Sequence, residues 1–265
     1  MSSSDTTVPG IRLNPGRDGP VRKRHHPWIY SQAVAAVTPP DTPSALLPVR
    51  SADGALVGWG TYSAGSLIAV RMVSFGDKPE DDWLERRIRA AKALRDALHV
   101  DSDAVRVVNS EGDFLPGLVA DRYGDTLVLS AHTRAMEGLL DAVSDCLLGL
   151  FPGAKVFVKR DEHFARVEQL ARPSGYIRGE GDGTAVIAES GTRLLVDFAR
   201  GQKTGFYLDQ RANRGIIAAA SAGKTVLNLF SYTGAVALRA LAAGAVQVTS
   251  VDSSRPALEV AERSA

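Results

Sequence analysis

The fold of this chain is decided by the stretch Thr225-Val226-Leu227-Asn228-Leu229-Phe230-Ser231-Tyr232-Thr233-Gly234. Its first six residues form an apolar run, and the last four form a turn. Residues 235–243 have helical character, and a second apolar run over residues 246–251 ends at Asp252. A strand, a helix and a second strand in this order predict a β-α-β unit, which builds a parallel sheet and places ligands at the carboxyl ends of its strands.

Asp252 and the turn at Gly234 hold the two positions where such a unit contacts a nucleoside. An acidic residue that closes the second strand accepts hydrogen bonds from a ribose, and the first turn lets the ligand approach the backbone. A dinucleotide fingerprint has the form G-x-G-x-x-G, whereas this turn has one glycine. A nucleoside without a pyrophosphate fits better, and S-adenosylmethionine is the obvious such cofactor. The alternatives are an ordinary connection in which Asp252 caps the next helix, and a nicotinamide oxidoreductase.

A second candidate site is the segment Gly201-Gln202-Lys203-Thr204-Gly205-Phe206-Tyr207-Leu208-Asp209-Gln210-Arg211. It has two glycines for backbone freedom, an aromatic pair, and polar side chains that enter a helix predicted from about residue 209 to 222. Aromatic faces stack on ligands, and a helix N-terminus favours an anionic group such as a carboxylate. We therefore predict a ligand-facing loop, with a solvated loop that Phe206 anchors to the core as the alternative.

Composition limits the remaining function classes. The 265 residues are enough for about two domains, and 45% hydrophobic and 23% charged residues are typical of a globular protein. A formal net charge of +1 gives no global field for nucleic acid or membranes. Residues 1–30 nevertheless carry five basic residues against two acidic ones, a local excess of three positive charges.

The single cysteine, Cys146, excludes an internal disulfide framework and a multi-cysteine zinc site. We therefore expect no metal, and a reducing, cytoplasmic compartment. The N-terminus has no signal-peptide pattern, and no run of about 18 apolar residues occurs. Hence we expect no membrane partner.

The chain before residue 189 divides into two segments. Residues 11–75 contain short apolar runs separated by turn residues, which predict a small β-rich domain. Residues 77–188 open with a helix near Asp81, and the order of the later elements predicts an α+β domain. Those later elements are strands over residues 105–108, 126–130 and 155–158, a turn-rich stretch over 109–124 and a helix over about 136–150.

Three strings near the C-terminus resemble those of the bacterial large-subunit rRNA (cytosine-5)-methyltransferases of the class I, S-adenosylmethionine-dependent type. They are residues 201–211, 227–234 and 249–254. His26-Pro27-Trp28-Ile29-Tyr30-Ser31 is similar to the GHPWVFS-like segment of that family's PUA domain. Residues 58–63, 109–118 and 121–125 are also similar, so that the resemblance runs from about residue 11 to residue 265.

The resemblance implies a mixed α/β and β architecture with three domains. They are an N-terminal PUA-like β-barrel over residues 11–75, a central α+β domain over 77–188 and the first part of a Rossmann-like methyltransferase domain over 189–265. It also implies S-adenosyl-L-methionine as cofactor, ribosomal RNA as partner and methylation of cytosine C5. A homodimer is an open alternative to a monomer.

The resemblance further implies residue roles. The residues expected to contact the cofactor are Gln202, Lys203, Thr204, Phe206, Gln210, Arg211, Asn228, Ser231, Tyr232, Gly234 and Asp252. Arg22, Lys23 and Arg24 are expected to contact RNA phosphates, with a solvated basic turn as the alternative.

Three features of that family do not occur in this sequence: an acidic residue for the adenine, an Asp-Pro-Pro-type loop and a cysteine nucleophile. The enzyme class attacks C6 of cytosine with a thiolate to activate C5. Cys146 lies among leucines and valines, where we expect a buried, inert thiol. We therefore expect a C-terminally truncated chain that is inactive alone, with its catalytic residues beyond residue 265. The alternatives are a truncated paralogue and a non-catalytic RNA-binding protein.

Overall fold

The first segment of the chain forms a curled six-stranded sheet in the order β2-β6-β5-β4-β1-β3. The computed structural model describes residues 9–39 and 46–265. β-Bulges in four of the strand pairs bend this sheet around a core that includes Ile11, Leu13, Val49 and Val70. Its elements are β1 (Gly10–Leu13), α1 (Gly19–Arg24), β2 (Trp28–Tyr30), β3 (Val34–Thr38), β4 (Leu47–Arg50), β5 (Leu56–Tyr62) and β6 (Ile68–Phe75).

The second segment forms a five-stranded sheet in the order β11-β10-β9-β8-β7, in which only β9 and β10 are parallel among the described strands. Its helices are α2 (Trp83–Ala97), α3 (Arg134–Gly138), α4 (Leu140–Leu150) and α5 (Glu162–Glu168). Its strands are β7 (Ala104–Asn109), β8 (Leu118–Tyr123), β9 (Thr126–Ala131), β10 (Lys155–Val158) and β11 (Gly175–Arg178).

This central sheet is buried on both faces. Side chains alternate across a strand, so Leu127 and Leu129 of β9 pack into one cluster with α2 and α4, while Val128 between them packs into another. The second cluster also contains Phe198 and Phe206, which belong to the third segment of the chain. The central sheet and the third segment therefore share one hydrophobic core.

The third segment combines an antiparallel hairpin, β12–β13, with a parallel pair, β14–β15. The helix α7 connects β14 to β15, which confirms the predicted β-α-β unit. Its elements are β12 (Thr184–Glu189), β13 (Thr192–Asp197), α6 (Arg211–Ser221), β14 (Thr225–Leu229), α7 (Ala235–Ala242), β15 (Gln247–Val251) and α8 (Arg255–Ser264). Within the described parts of the chain, no helix is long and apolar enough to cross a membrane.

The structure corrects two predictions in the second segment. The stretch over residues 109–124, predicted as turn-rich, contains the strand β8. The sequence did not indicate this strand because the buried Asp121 interrupts its apolar run. The helix predicted over residues 136–150 is two helices, since the first ends at Gly138 and the second begins at Leu140. Glycine is a poor helix former, which is consistent with a break at this position.

The shared core predicts that Phe198 is critical for stability. Its ring is fully buried beside Tyr123, Phe157 and Tyr176, at centroid distances of 6.4, 5.1 and 6.3 Å. We expect Phe198→Ala to lower the free energy of unfolding by about 3–5 kcal/mol, because truncation of a buried phenylalanine leaves a cavity. Phe114→Ala, at a side chain that is 65% exposed, should cost no more than about 0.5 kcal/mol. Equal midpoints in urea unfolding of the two variants would contradict the shared core.

Candidate functional site

A cavity of about 570 Å³ lies at the carboxyl ends of β14 and β15, where the β-α-β unit predicts a ligand. We call it the crossover pocket. The predicted cofactor residues that line it are Gln202, Phe206, Gln210, Asn228, Ser231, Tyr232 and Asp252. The folding of the chain thus brings the loop after β13 against the turn after β14.

Asp252 is held in place by backbone N–H groups. Its carboxylate accepts hydrogen bonds from the amides of Tyr232 and Ser254, each at 2.8 Å. The hydrogen bond from Ser254 has the largest effect and that from Tyr232 the second largest, and both lower the pKa of Asp252. The carboxyl group is therefore an anion at neutral pH. A fixed carboxylate beside a pocket can accept further hydrogen bonds from ligand hydroxyl groups.

Two buried donors in the crossover pocket have no partner among the described residues. They are the amide nitrogen Nδ2 of Asn228 and the hydroxyl Oγ of Ser231. A buried polar atom without a hydrogen bond is costly, and it indicates a site where a ligand or water completes the bonding. The pocket therefore offers one anion and two neutral donors to a polar molecule.

The loop over residues 201–207 is fixed by a tyrosine. The hydroxyl of Tyr232 accepts a hydrogen bond from the amide of Gln202 at 2.9 Å and donates one to the carbonyl of Gly205 at 3.0 Å. Burial raises the pKa of Tyr232 to about 12, so the hydroxyl keeps its proton. A Cβ atom on Gly201 would lie 2.3 Å from the carbonyl oxygen of Asp197, which explains the glycine at this close approach.

A lysine supports the start of the same loop. The ammonium group of Lys159, at the end of β10, donates to the carbonyls of Phe198, Ala199 and Gly201 at 2.8, 3.3 and 2.5 Å. A cation with three carbonyl acceptors holds the backbone in a curve around it. The central sheet thus positions the loop that reaches the crossover pocket.

Four predicted cofactor residues do not line the pocket. Thr204 is buried, and its hydroxyl bonds the carboxylate of Asp121 and the hydroxyl of Tyr123, the latter at 2.8 Å. Arg211 donates to Glu189 at 3.2 Å, and Lys203 lines a neighbouring cavity. Gly234 forms the left-handed turn before α7, with a φ of 73°.

Sequence reasoning missed the residues that position the loop. Asp121 lies 83 residues from Thr204 in the chain, and Lys159 lies 42 residues from Gly201. No local pattern reports a pairing at such separations. The one available signal was the polar Asp121 itself, since an acidic residue inside a strand is buried only when it has partners.

The predicted RNA-contact residues Arg22, Lys23 and Arg24 form the exposed last turn of α1. Arg22 pairs with Asp18 at 3.3 Å. Basic side chains at a helix C-terminus are also stabilised by the helix dipole. The nearby Trp28 is half-buried, and its indole nitrogen donates to Glu111 at 2.9 Å, so it joins the first segment to the second.

Comparison with known proteins defines the class of two parts of the chain. Residues 11–75 match the sequence profile of a PUA-like domain, and residues 151–264 match that of the S-adenosylmethionine-dependent methyltransferases. The chain therefore carries a PUA-like domain and a methyltransferase domain whose family uses S-adenosylmethionine as cofactor. The expected mixed fold class and the expected cofactor are confirmed at this level.

The curated relatives are ribosomal RNA large subunit methyltransferases I. The proteins of that name from Shewanella denitrificans and Pseudoalteromonas translucida are 38% and 35% identical to this chain. The alignments cover 95% and 96% of this chain, but 64% and 65% of the relatives. The chain thus spans slightly less than two thirds of the length of these homologues.

Solved structures share the fold. A protein from Streptococcus mutans described as a SAM-dependent methyltransferase matches with a TM-score of 0.78 and 23% sequence identity, over 97% of this chain and 66% of its own. A methyltransferase crystallised in complex with SAH matches with a TM-score of 0.79 over the same shares. At this identity the likeness shows the fold alone.

The buried ion pairs beside the loop predict acid sensitivity. Burial raises the pKa of Glu189, but the hydrogen bonds and charges of Arg214 and Arg211 lower it by more. The pKa of Glu189 therefore lies below its usual value of 4.5. Stabilisation from Glu189 is therefore complete above about pH 4.5 and is lost as the pH falls through the lower, folded-state pKa. We expect Glu189→Gln to remove this part of the pH dependence of unfolding.

The control for this experiment is Glu259→Gln, which removes a carboxylate from an exposed pair with Arg255. It should unfold with the same pH dependence as the unmodified chain. Glu189→Gln should also cost about 3–5 kcal/mol at neutral pH, because it leaves buried arginine charge without its partner. Parallel pH profiles of all three proteins in thermal unfolding would refute the assigned role of Glu189.

Proposed function

We propose that this chain supplies the RNA-binding and cofactor-binding parts of an rRNA methyltransferase that modifies C5 of cytosine. In this proposal residues 11–75 and 77–188 bind ribosomal RNA, and residues 189–265 form the first part of the methyltransferase domain. Arg22, Lys23 and Arg24 contribute phosphate contacts. In this proposal the methyltransferase acts in the cytoplasm, where ribosomal RNA is modified, as a monomer or a homodimer.

The observation that carries the proposal is the donor and acceptor set of the crossover pocket. Asp252 would hold the ribose hydroxyls of S-adenosylmethionine, while Asn228 and Ser231 would donate to polar groups of its methionine moiety. Tyr207 and Phe206 add aromatic surface to the same wall. When bound, the cofactor supplies an electrophilic methyl group on its sulfonium sulfur. Support also comes from the names of the relatives and from the neighbour crystallised with SAH.

The position of Cys146 bears on the methyl transfer itself. Cys146 belongs to α4, and its side chain is half-buried rather than fully buried as expected. It packs against the core that lies on the face of the central sheet opposite the third segment, and burial raises the pKa of its thiol. A protonated thiol in that place cannot attack a base beside the crossover pocket. We therefore propose that the 265-residue chain binds cofactor and RNA without transferring the methyl group to C5.

Binding of SAH tests the assigned pocket. Isothermal titration of the chain with SAH should give one site, and Asp252→Asn should weaken the affinity by about tenfold or more, because it removes a charge-assisted pair of hydrogen bonds. Asp101→Asn, at an exposed aspartate outside the pocket, should bind as the unmodified chain does. Unchanged affinity in Asp252→Asn would remove Asp252 from the site.

Radiolabelled methyl transfer tests the proposed lack of activity. Incubation of the chain with methyl-labelled S-adenosylmethionine and large-subunit ribosomal RNA should leave the RNA unlabelled, since no activated thiolate reaches the pocket. The full-length Shewanella denitrificans relative serves as the positive control. Incorporation by this chain that disappears in Cys146→Ser would show that Cys146 is a nucleophile and would overturn the proposal.

A further inference from the structure

A second cavity lies against the other side of the loop that forms the crossover pocket. It has a volume of about 530 Å³ and lies between the second segment and the loop. Phe206, Tyr207 and Asp209 line both cavities, so that a single stretch of chain separates them. We call this cavity the basic basin because four cationic side chains line it. They are Arg95, Arg106, Lys203 and Arg211.

The three arginines are held by buried carboxylates. Arg95 pairs with Asp113 at 2.5 and 2.7 Å, and Arg106 pairs with Asp121 at 2.8 and 3.0 Å. The carboxylates of Asp113 and Asp121 are almost fully buried, whereas the side chain of Arg106 is 38% exposed. Each guanidinium is thus fixed by a buried carboxylate, and both side chains line the basin. A guanidinium held in this way keeps its position, and its remaining N–H groups can donate to the oxygens of a phosphate group.

Arg211 adds a further set of donors to the basin. Its Nε and Nη2 atoms bond Glu189 at 3.2 Å and the carbonyl of Ala104 at 2.5 Å. Its Nη1 atom has no hydrogen-bond partner within residues 9–39 and 46–265. A guanidinium can donate through all three of its nitrogens, so Arg211 retains capacity for an anion in the basin.

Lys203 is the cation without a partner. Among the residues that the structure describes, its side chain has no hydrogen bond or ion pair, and it lies in the basin rather than in the crossover pocket. Its backbone is left-handed, with a φ of 53°, which is uncommon for a residue other than glycine. Thr204, the next residue, is anchored to Asp121, so the side chain of Lys203 is carried to the basin side.

We propose that the basic basin binds backbone phosphates of the RNA strand whose base is brought to the crossover pocket. This inference rests on the proposed function. Cations contribute most of the affinity for RNA through its phosphates, and the loop shared by both cavities would set a phosphate and the cofactor on opposite sides of Phe206 and Tyr207. Lys203 is thereby assigned to RNA and not to the cofactor.

Charge placed at Leu98 tests the basin without removing any of its contacts. Leu98 lines the basin, caps the C-terminal end of α2 and is 62% exposed. With a transcript of large-subunit ribosomal RNA as the probe, Leu98→Glu should weaken binding by about three- to tenfold, and Leu98→Lys should strengthen it by a similar factor. Leu241, 46% exposed in the last turn of α7 and outside both cavities, is the matched control position.

Removal of the free cation gives a second, independent readout. Lys203→Gln should weaken RNA binding and reduce the slope of log affinity against log salt by about 1, with the affinity for SAH unchanged. The control is Lys224→Gln. Lys224 is exposed and directly precedes β14, at the end of that strand away from the crossover pocket, so its substitution should change neither quantity.

The outcomes separate the two proposals. If the unmodified chain binds the transcript and the variants at Leu98 and Lys203 bind it equally well, the basin does not bind RNA and the proposed function stands. If Lys203→Gln weakens the binding of SAH and leaves the binding of RNA unchanged, Lys203 is a cofactor residue and the assignment of the basin to RNA is again wrong. If the unmodified chain does not bind the transcript, the proposed function fails and the basin fails with it.

Discussion

The carboxylate of Asp121 is the interaction on which the rest of the site depends. It is fully buried in β8, it bonds the guanidinium of Arg106 twice, and it accepts a hydrogen bond from the hydroxyl of Thr204. A buried carboxylate that loses a partner is strongly destabilising, so the loop residue Thr204 cannot detach from β8 without a large cost in free energy. Asp121 therefore fixes the loop that separates the crossover pocket from the basic basin.

The remaining supports act on the same loop from other directions. Lys159 holds its first carbonyls, Tyr232 bonds Gln202 and Gly205, and Phe206 packs into the core shared with the central sheet. The guanidinium of Arg214 lies 4.6 Å from the centre of the Phe206 ring and pairs with Glu189. Because these contacts come from the central sheet, the hairpin and the β-α-β unit, the site forms only when all three are folded.

The sequence predicted well where the structure depends on local pattern. The two apolar runs and the turn near residue 230 predicted β14, α7 and β15, and the one-glycine turn argued for a nucleoside without a pyrophosphate. Most of the predicted cofactor residues line the crossover pocket. In the same unit Leu227 and Leu229 are exposed, and Phe230 is 91% exposed.

The sequence was least informative where the site depends on pairings that are distant in the chain. Lys203 and Thr204 are neighbours in one polar motif, and only the contact of Thr204 with Asp121 decides that they face different surroundings. The strand β8 was missed for the same reason, because its buried Asp121 looks like a turn residue until its partners are known. Tertiary context, which a single sequence does not show, decided both cases.

Hydrogen–deuterium exchange of the chain with and without SAH tests the crossover pocket as the cofactor site, because it reports which backbone amides a ligand protects. SAH should slow exchange in peptides that cover residues 201–211 and 228–234, and it should leave exchange in the sheet of residues 11–75 unchanged. Addition of ribosomal RNA should instead protect the peptides around residues 95–109, on the other side of the same loop. Protection by SAH that spares both 201–211 and 228–234 would contradict the assignment of the crossover pocket.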